Sequence, residues 1–252
     1  MMNLLNEVNH RSFTVPKEPW VMAQTWSQLL FAHYPVSKSL LRSLIPNCFE
    51  IDTFEDNAWI SVVPFRMSGL RIHGIRELPF TPEFAELNVR TYVTFRGRPG
   101  VYFFSLDANS KLAVILANSM YNLPYMHAEM KITQQNKTVH YYSERTDSRA
   151  KTGIFFGTYR PVGDVFRANT GTLEHWLTER YLLYVIKKNG VYEGNIHHKP
   201  WPLQHAEATI KVNTVAESMG IPIEEPAPLL HYCEKLDVLA WLPKKVGIYE
   251  SS

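Results

Sequence analysis

A strand-like segment, FAELNVRTYV at residues 84–93, carries chemically active side chains at every second position. Side chains alternate between the two faces of a β-strand, so one face of this segment carries Glu86, Asn88, Arg90 and Tyr92. Such a face can either meet solvent or line a polar pocket inside the protein. If it is buried, Glu86 must pair with a cation or take up a proton, which makes it a candidate general acid or base.

The neighbouring segment helps to choose between these two interpretations. Periodicity alone favours a solvated outer face for Glu86, Asn88 and Arg90. However, residues 101–108 are apolar except for Ser105 and Asp107, and apolar company favours burial.

Composition limits the classes of partner. The chain has 252 residues, enough for one large domain or two small ones, and 45% of them are hydrophobic. Its net charge of +2 gives no electrostatic footprint for nucleic acid or an anionic membrane. We therefore predict a small-molecule ligand as the partner, with a homo-oligomer left open.

The cysteines and the N-terminal segment indicate a location. Only Cys48 and Cys233 occur, and we interpret them as reduced, buried thiols of a cytoplasmic protein. The first residues, MMNLLNEVNHRSF, lack the charged and apolar regions of a signal peptide. No stretch approaches the roughly 18 apolar residues of a membrane span.

Several kinds of chemistry lack their motifs. The sequence contains no GxGxxG, P-loop, GxSxG, HExxH or paired CxxC. His197 and His198 are adjacent, so a strand would point them to opposite faces, and we predict structural roles for both. The sequence therefore predicts neither a cofactor nor a metal.

The periodicity predicts a mainly β protein. Strands are expected at 20–34, at 58–70 with Pro64 at an edge or bulge, at 190–212 and near the C-terminus. Two hairpins are expected, one with the turn RGRP between 84–95 and 100–108, and one with the turn QNK between 124–135 and 138–146.

Three helices are expected beside the strands. Ser37 can cap a short helix at 37–46, and residues 111–122 favour a second. The third is predicted over 172–188, where Thr172 can cap it, Asn189-Gly190 can end it, and Trp176, Leu177 and Tyr181 would form its packed face. Residues 1–19 are expected to be a loosely held arm and residues 20–252 a single domain. About ten strands with few helices favour a closed sheet, because closure removes exposed edges.

Six segments carry a family resemblance. They are ELNVRTYV, RPGVYFFSLDA, LPYMHAEM, LTERYLLY, HHKPWPL and LHYCEKLDVLAWLP, in this order. Together they resemble the uncharacterised bacterial family typified by YqjF of bacilli, from about residue 20 to residue 243. That family is distantly similar to the acetoacetate decarboxylases. The similarity implies an α+β, mainly β fold: a cone-shaped antiparallel β-barrel with an internal pocket and flanking helices.

The resemblance also bears on the site. In the decarboxylases a pocket-lining glutamate occurs in a context like YxEV, which Glu86 in FAELNV matches, so Asn88 and Arg90 should follow it into the pocket. The decarboxylases form a Schiff base on the first lysine of a PKK segment. The matching segment here is LPYMHAEM, with Tyr125 and Met126 at those places, so the resemblance implies the fold without the decarboxylase chemistry.

Three functional alternatives remain open. A binding protein would hold an organic acid or carbonyl compound with Arg90, Asn88, Tyr125 and His127. An enzyme would use Glu86 as acid or base and Tyr125 to polarise a carbonyl oxygen. A purely structural protein would have a filled core and no cavity.

Overall fold

The computed structural model describes residues 4–74, 83–110, 114, 121–223 and 229–249. Within these ranges, thirteen strands belong to one sheet. The first seven are β1 (Met22–Val36), β2 (Glu50–Ile51), β3 (Ala58–Ile72), β4 (Phe84–Phe95), β5 (Arg98–Ala108), β6 (Tyr125–Gln135) and β7 (Thr138–Arg145). The other six are β8 (Ile154–Phe166), β9 (Leu182–Lys187), β10 (Gly190–His197), β11 (Leu203–Asn213), β12 (Leu229–Ala240) and β13 (Lys244–Ile248).

Two short α-helices have both of their ends within the described ranges, α1 (Lys38–Leu44) and α2 (Leu173–Thr178), and 3₁₀ turns lie at Leu4–Asn6 and Glu217–Met219. Ser37 caps α1 as predicted, since its side chain accepts a hydrogen bond from the backbone N–H of Leu40. None of the described helices is long and apolar enough to span a membrane.

The sheet closes on itself, which confirms the predicted mainly β, closed architecture. Strands β5, β4, β3, β1, β12, β10 and β9 pair in that order, and β9 returns to β5, forming a closed ring that we call the cavity ring. Strands β6, β7, β8 and β11 run from β5 round to β12 and form an outer layer. The sheet departs from strict antiparallel pairing at two short contacts: β5 pairs in parallel with β9 within the ring and with β6 in the outer layer.

Both predicted hairpins are confirmed. The β4–β5 turn places Arg96 and Gly97 at positive φ between the pair Phe95 and Arg98. In the β6–β7 turn, Asn136 has positive φ. Glycine and asparagine tolerate this region of the backbone map, so the turn residues fix the register of each hairpin.

Pro64 lies at a bulge, as predicted. The pairing of β1 with β3 shifts register between Ser27–Arg66 and Ala32–Val62, so Pro64 falls where no regular pairing with β1 occurs. A proline cannot donate a backbone hydrogen bond, and the irregularity removes the need for one.

The long helix predicted over 172–188 is wrong. Helix α2 ends at Thr178, and Leu182–Lys187 form strand β9, which pairs with β10 from Lys187–Gly190 onward. The segment LLYVIK is rich in β-branched and aromatic residues, and Asn189-Gly190 is a strong hairpin signal as well as a helix stop. Tertiary pairing with β5 and β10 decides in favour of the strand.

The N-terminal arm is docked rather than loosely held. Leu4 is buried against Trp241, and Arg11 donates hydrogen bonds to the carbonyl oxygen of Ile196 and to Oδ1 of Asn195. The helix predicted at 111–122 falls largely outside the described residues. Two residues of this segment that are described, Val114 and Tyr121, are buried. Cys48 and Cys233 are both free thiols.

Candidate functional site

The cavity ring encloses a cavity that offers about 140 Å³ to water-sized molecules. Most of its wall is apolar, with contributions from Leu29, Phe31, Phe65, Met67, Phe103 and Leu106. A smaller set of polar side chains reaches the same space, including Glu86, Asn88, Arg90, Tyr121, Tyr125 and Arg180. An apolar wall with few polar groups is typical of a small-molecule site.

Strand β4 supplies the central polar row. Glu86, Asn88 and Arg90 are all buried and all line the cavity, so the inner-face interpretation is confirmed and the solvated face is excluded. The β4–β5 register shifts between Val89 and Arg90, and this bulge occurs at the position of the guanidinium. Bulges commonly re-aim a side chain next to functional sites.

Glu86 and Tyr125 form a hydrogen-bonded pair. The Tyr125 hydroxyl donates to Oε2 of Glu86 at 3.0 Å, across the distance between β4 and β6. Burial raises the pKa of Glu86 to about 8, with a smaller contribution from the negative charge of Asp107, although the Tyr125 hydrogen bond opposes the shift. Glu86 is therefore predominantly a neutral carboxylic acid at pH 7, able to donate a proton or a hydrogen bond.

Arg90 is buried, and no carboxylate among the described residues forms an ion pair with it. Its Nε and Nη2 groups donate to no acceptor in that part of the chain. Its guanidinium carbon lies 5.2 Å from the ring centroid of Phe31. A cation–π contact of this kind compensates only part of the lost hydration of a buried cation.

Arg180 is a site residue that the sequence did not reveal. It lies between α2 and β9, where the mistaken helix prediction would have placed it on a helix surface. Its Nη1 donates to Oδ2 of Asp52 at 2.6 Å and its Nε to the carbonyl oxygen of Trp176 at 2.6 Å, while Nη2 has no partner among the described residues. Burial lowers the pKa of Arg180, and the nearby positive charge of Arg90 lowers it further, although Asp52 opposes both.

Other buried polar atoms on the cavity wall also lack protein partners within the described part of the chain. They are Oδ1 of Asn88, the hydroxyl of Tyr121 and the indole nitrogens of Trp26 and Trp201. Buried polar atoms are nearly always hydrogen-bonded in folded proteins. Their concentration around one cavity leaves free hydrogen-bonding capacity on its wall, as far as the described residues go.

Tyr92 belongs to the same face of β4 but not to the cavity wall. Its hydroxyl lies 2.6 Å from Oγ of Ser61, which is 2.7 Å from Nδ1 of His33. Burial lowers the pKa of His33 well below its usual value, and the nearby His231 and Arg90 act in the same direction. This neutral network closes the core beyond Arg90.

His127 does not join the other predicted ligand-binding residues. It is absent from the cavity wall described above, and its ring nitrogen Nδ1 lies 3.0 Å from Oγ1 of Thr146, in an exposed contact. Its backbone N–H donates to Asp147, so its place on β6 follows from a turn rather than from the cavity. The prediction that groups His127 with Tyr125 is not supported by this arrangement.

His197 and His198 have structural contacts. Nε2 of His197 lies 2.9 Å from the carbonyl oxygen of Leu4, and Nδ1 of His198 lies 2.7 Å from that of Lys199. Burial lowers the pKa of His198 to about 3. Within the described ranges, no group of three histidine, cysteine or acidic residues could hold a metal ion.

The ring and its cavity place the chain in a known class of fold. A crystal structure of acetoacetate decarboxylase from Legionella pneumophila superposes with a TM-score of 0.61 at 14% identity, covering 98% of this chain and 96% of that chain. The enduracididine biosynthesis enzyme MppR in complex with pyruvate gives a TM-score of 0.62 at 9% identity, covering 93% and 92%. The protein therefore has an acetoacetate decarboxylase-like fold.

Sequence comparison then identifies the family. Residues 23–237 match the model of DUF2071, described as an uncharacterized conserved protein, and the chain belongs to this family. It is 46% identical over 235 residues to the uncharacterized protein YqjF of Bacillus subtilis, covering 93% of this chain and 96% of the relative. The resemblance found in the sequence segments is thereby confirmed.

Proposed function

We propose that the protein binds a small organic acid or carbonyl compound in the cavity, without forming an imine. The observation that carries this proposal is a set of buried polar atoms on an otherwise apolar wall that have no partner among the described residues, with nitrogens of Arg90 and Arg180 in the set. A ligand with one polar head and an apolar body would complete these hydrogen bonds and displace water from the wall.

The fold relatives support the choice of ligand class. The structure of MppR, which shares the fold, contains pyruvate. Pyruvate is a small molecule that carries both a carboxylate and a carbonyl group. The Tyr125 hydroxyl donates its hydrogen bond to Glu86, and the neutral Glu86 carboxyl can in turn donate to a carbonyl oxygen of the ligand, while Arg90 would suit a carboxylate.

Ligand binding can be tested directly. Native mass spectrometry of freshly purified protein should show a non-covalently bound small molecule that leaves on denaturation. Asn88→Leu, which places an apolar side chain on the cavity wall, should reduce its occupancy, whereas Asn47→Leu at an exposed position should not. If neither the co-purified protein nor protein mixed with a panel of carboxylates, ketones and aldehydes retained any ligand, the proposal would fail.

The absence of imine chemistry has its own test. The lining residues described above include no lysine, and Tyr125 and Met126 stand where the decarboxylase lysines are expected from the resemblance. Borohydride reduction in the presence of acetoacetate should therefore leave the protein mass unchanged. A stable adduct on any lysine, Lys111 included, would contradict this part of the proposal.

A second candidate function is favoured by one observation. Glu86 combines a pKa of about 8 with a hydrogen bond from Tyr125, an arrangement suited to moving a proton to or from a carbonyl compound. An enzyme of this kind would exchange or rearrange the ligand, while a binder would release it unchanged. Incubating the identified ligand in D₂O and measuring deuterium uptake next to its carbonyl, in the parent and in Glu86→Gln, would separate the two.

A further inference from the structure

We infer that Arg90 and Arg180 together form a carboxylate subsite at one end of the cavity. The inference rests on the proposed function and specifies it: the preferred ligand is a monoanionic carboxylate with an apolar body. Its two oxygens would each meet one guanidinium, and its alkyl portion would extend along the apolar wall.

The two guanidinium groups converge from distant parts of the chain. Arg90 comes from β4 and Arg180 from the segment before β9, and both are at least nine-tenths buried on the same cavity wall. Both approach one ring: their guanidinium carbons lie 6.0 Å and 5.0 Å from the centroid of Tyr92. The two guanidinium carbons can therefore be no farther apart than the sum of these two distances. An anion that binds both guanidinium groups would draw them closer together.

Each guanidinium retains bonding capacity. Nε and Nη2 of Arg90 and Nη2 of Arg180 are buried without a partner among the described residues. Two like charges that share a buried space repel each other. An anion between them offsets this repulsion and accepts the hydrogen bonds that the guanidinium groups otherwise lack.

The charge balance of the cavity favours a single negative charge. Arg180 is neutralised by Asp52 at 2.6 Å, whereas Arg90 has no acidic partner among the described residues. Glu86, the acid among the cavity-lining residues described here, is predominantly neutral at pH 7 for the reasons given above. One positive charge is therefore left over, which matches a carboxylate better than a doubly charged phosphate.

The remaining wall determines the rest of the ligand. Phe31 connects the two ends, since it lies under Arg90 and contacts Trp201, whose ring centroid is 4.9 Å away. Beyond it the wall consists of side chains such as Phe65, Met67 and Leu106. Glu86 lies at the other end, roughly 13 Å from Arg90 along the strand, so the carboxylate and the acid–phenol pair can contact different parts of one ligand.

Calorimetric titration at pH 7 with butanoate, hexanoate and octanoate, each compared with its primary amide, tests the subsite. The parent should prefer the best-fitting acid over its amide by about tenfold or more, because charge-assisted hydrogen bonds replace neutral ones. Arg90→Gln and Arg180→Gln should each abolish most of this preference. Arg98→Gln is the matched control, because Arg98 pairs with Glu193 and is not among the cavity-lining residues described here.

A second variant predicts the opposite change and guards against simple loss of fold. Asp52→Asn keeps Arg180 but removes its counter-charge, so the preference for the acid over the amide should increase. If Arg180 only supported the structure, Asp52→Asn would leave that preference unchanged or lower it, and this result would overturn the inference.

The outcomes distinguish the two proposals. If ketones or amides bind in the cavity but acids bind no better, and the arginine variants leave the ratio unchanged, the carboxylate subsite is wrong and the proposed function stands. If no acid, amide or carbonyl compound binds to the parent, the proposed function itself is wrong, and the subsite with it.

Discussion

Two buried arginines on opposite sides of the β4–β5 pair differ in their hydrogen bonding. On the outer side, Arg145 at the end of β7 is fully buried and donates from Nε and Nη2 to both oxygens of Asp107 on β5, at 2.8 Å and 2.9 Å. It also reaches Ser105, Ser218 and the carbonyl oxygen of Lys151. On the inner face, Arg90 has none of these companions, and two of its nitrogens remain unpartnered within the described part of the chain.

This contrast distinguishes a buried arginine whose hydrogen bonds are completed by the protein from one whose hydrogen bonds, under the proposed function, would be completed by a ligand. The protein completes the hydrogen bonding of a buried guanidinium where only stability is required, as it does around Arg145. A buried ion with incomplete bonding costs free energy, and such groups persist mainly at functional sites. Arg145 and Arg90 are both buried, so burial does not distinguish them. Their hydrogen-bond partners do.

The largest expected effect is at the completed cluster. Arg145→Met should lower the free energy of unfolding by about 3–5 kcal/mol, because it strands the carboxylate of Asp107 in the core. Denaturant unfolding would measure the loss. The double variant Arg145→Met, Asp107→Leu should recover most of it, and failure to recover would show that packing rather than charge dominates.

Glu86 provides a pH-dependent test on the cavity face. Its folded-state pKa of about 8 lies above its usual value of 4.5, so the folded protein holds a proton that the unfolded chain releases between these pH values. The contribution of Glu86 to stability is therefore complete below about pH 4.5 and is lost as pH rises towards 8. Relative to Glu86→Gln, the parent should lose roughly 3–4 kcal/mol between pH 5 and pH 8.

The same comparison cancels the other ionisable groups near Glu86. Both proteins contain the same neighbouring groups, namely Tyr125 from β6, Tyr141 from β7, Asp107 from β5 and Arg90 on the strand of Glu86 itself. Parallel stability curves for the parent and Glu86→Gln across this range would show that Glu86 is ionised in the folded state, contrary to the cavity's electrostatics.

The smallest expected effect is on stability at Arg90. In ligand-free protein, Arg90→Met should change the free energy of unfolding by no more than about 1 kcal/mol in either direction, because it removes an unpaired cation together with a cation–π contact. Thermal unfolding beside Arg145→Met measures the contrast. A loss at Arg90 as large as that at Arg145 would erase the distinction between the two faces.

Local sequence signals were sufficient for much of the fold and for half of the site. Turn residues specified both hairpins, Ser37 specified the start of α1, and the period-2 pattern placed Glu86, Asn88 and Arg90 on one face. These features depend on neighbours within a few residues, where propensity and alternation act directly.

The features that were missed depend on distant contacts. Leu182–Lys187 is a strand because β5 and β10 pair with it, while its own apolar pattern also fits a helix. Arg180 reaches the cavity because the chain forms strand β9 after it instead of continuing as a helix. Asp107 contacts Arg145 because the fold brings β5 and β7 together. His127 was predicted to bind the ligand together with Tyr125, but its hydrogen bonds are with Thr146 and Asp147, away from the cavity wall.

The pairing of β1 with β12 has a consequence for folding during synthesis. These strands align from Met22–Ala240 to His33–Leu229, so one side of the cavity ring can form only after the C-terminal part of the chain has been synthesised. At typical translation speeds of about 5–20 residues per second, β1 emerges on the order of 10–40 s before its partner. During that interval its unpaired edge can bind other strands, so a nascent chain that stalls before β12 should be a client of chaperones that shield such edges.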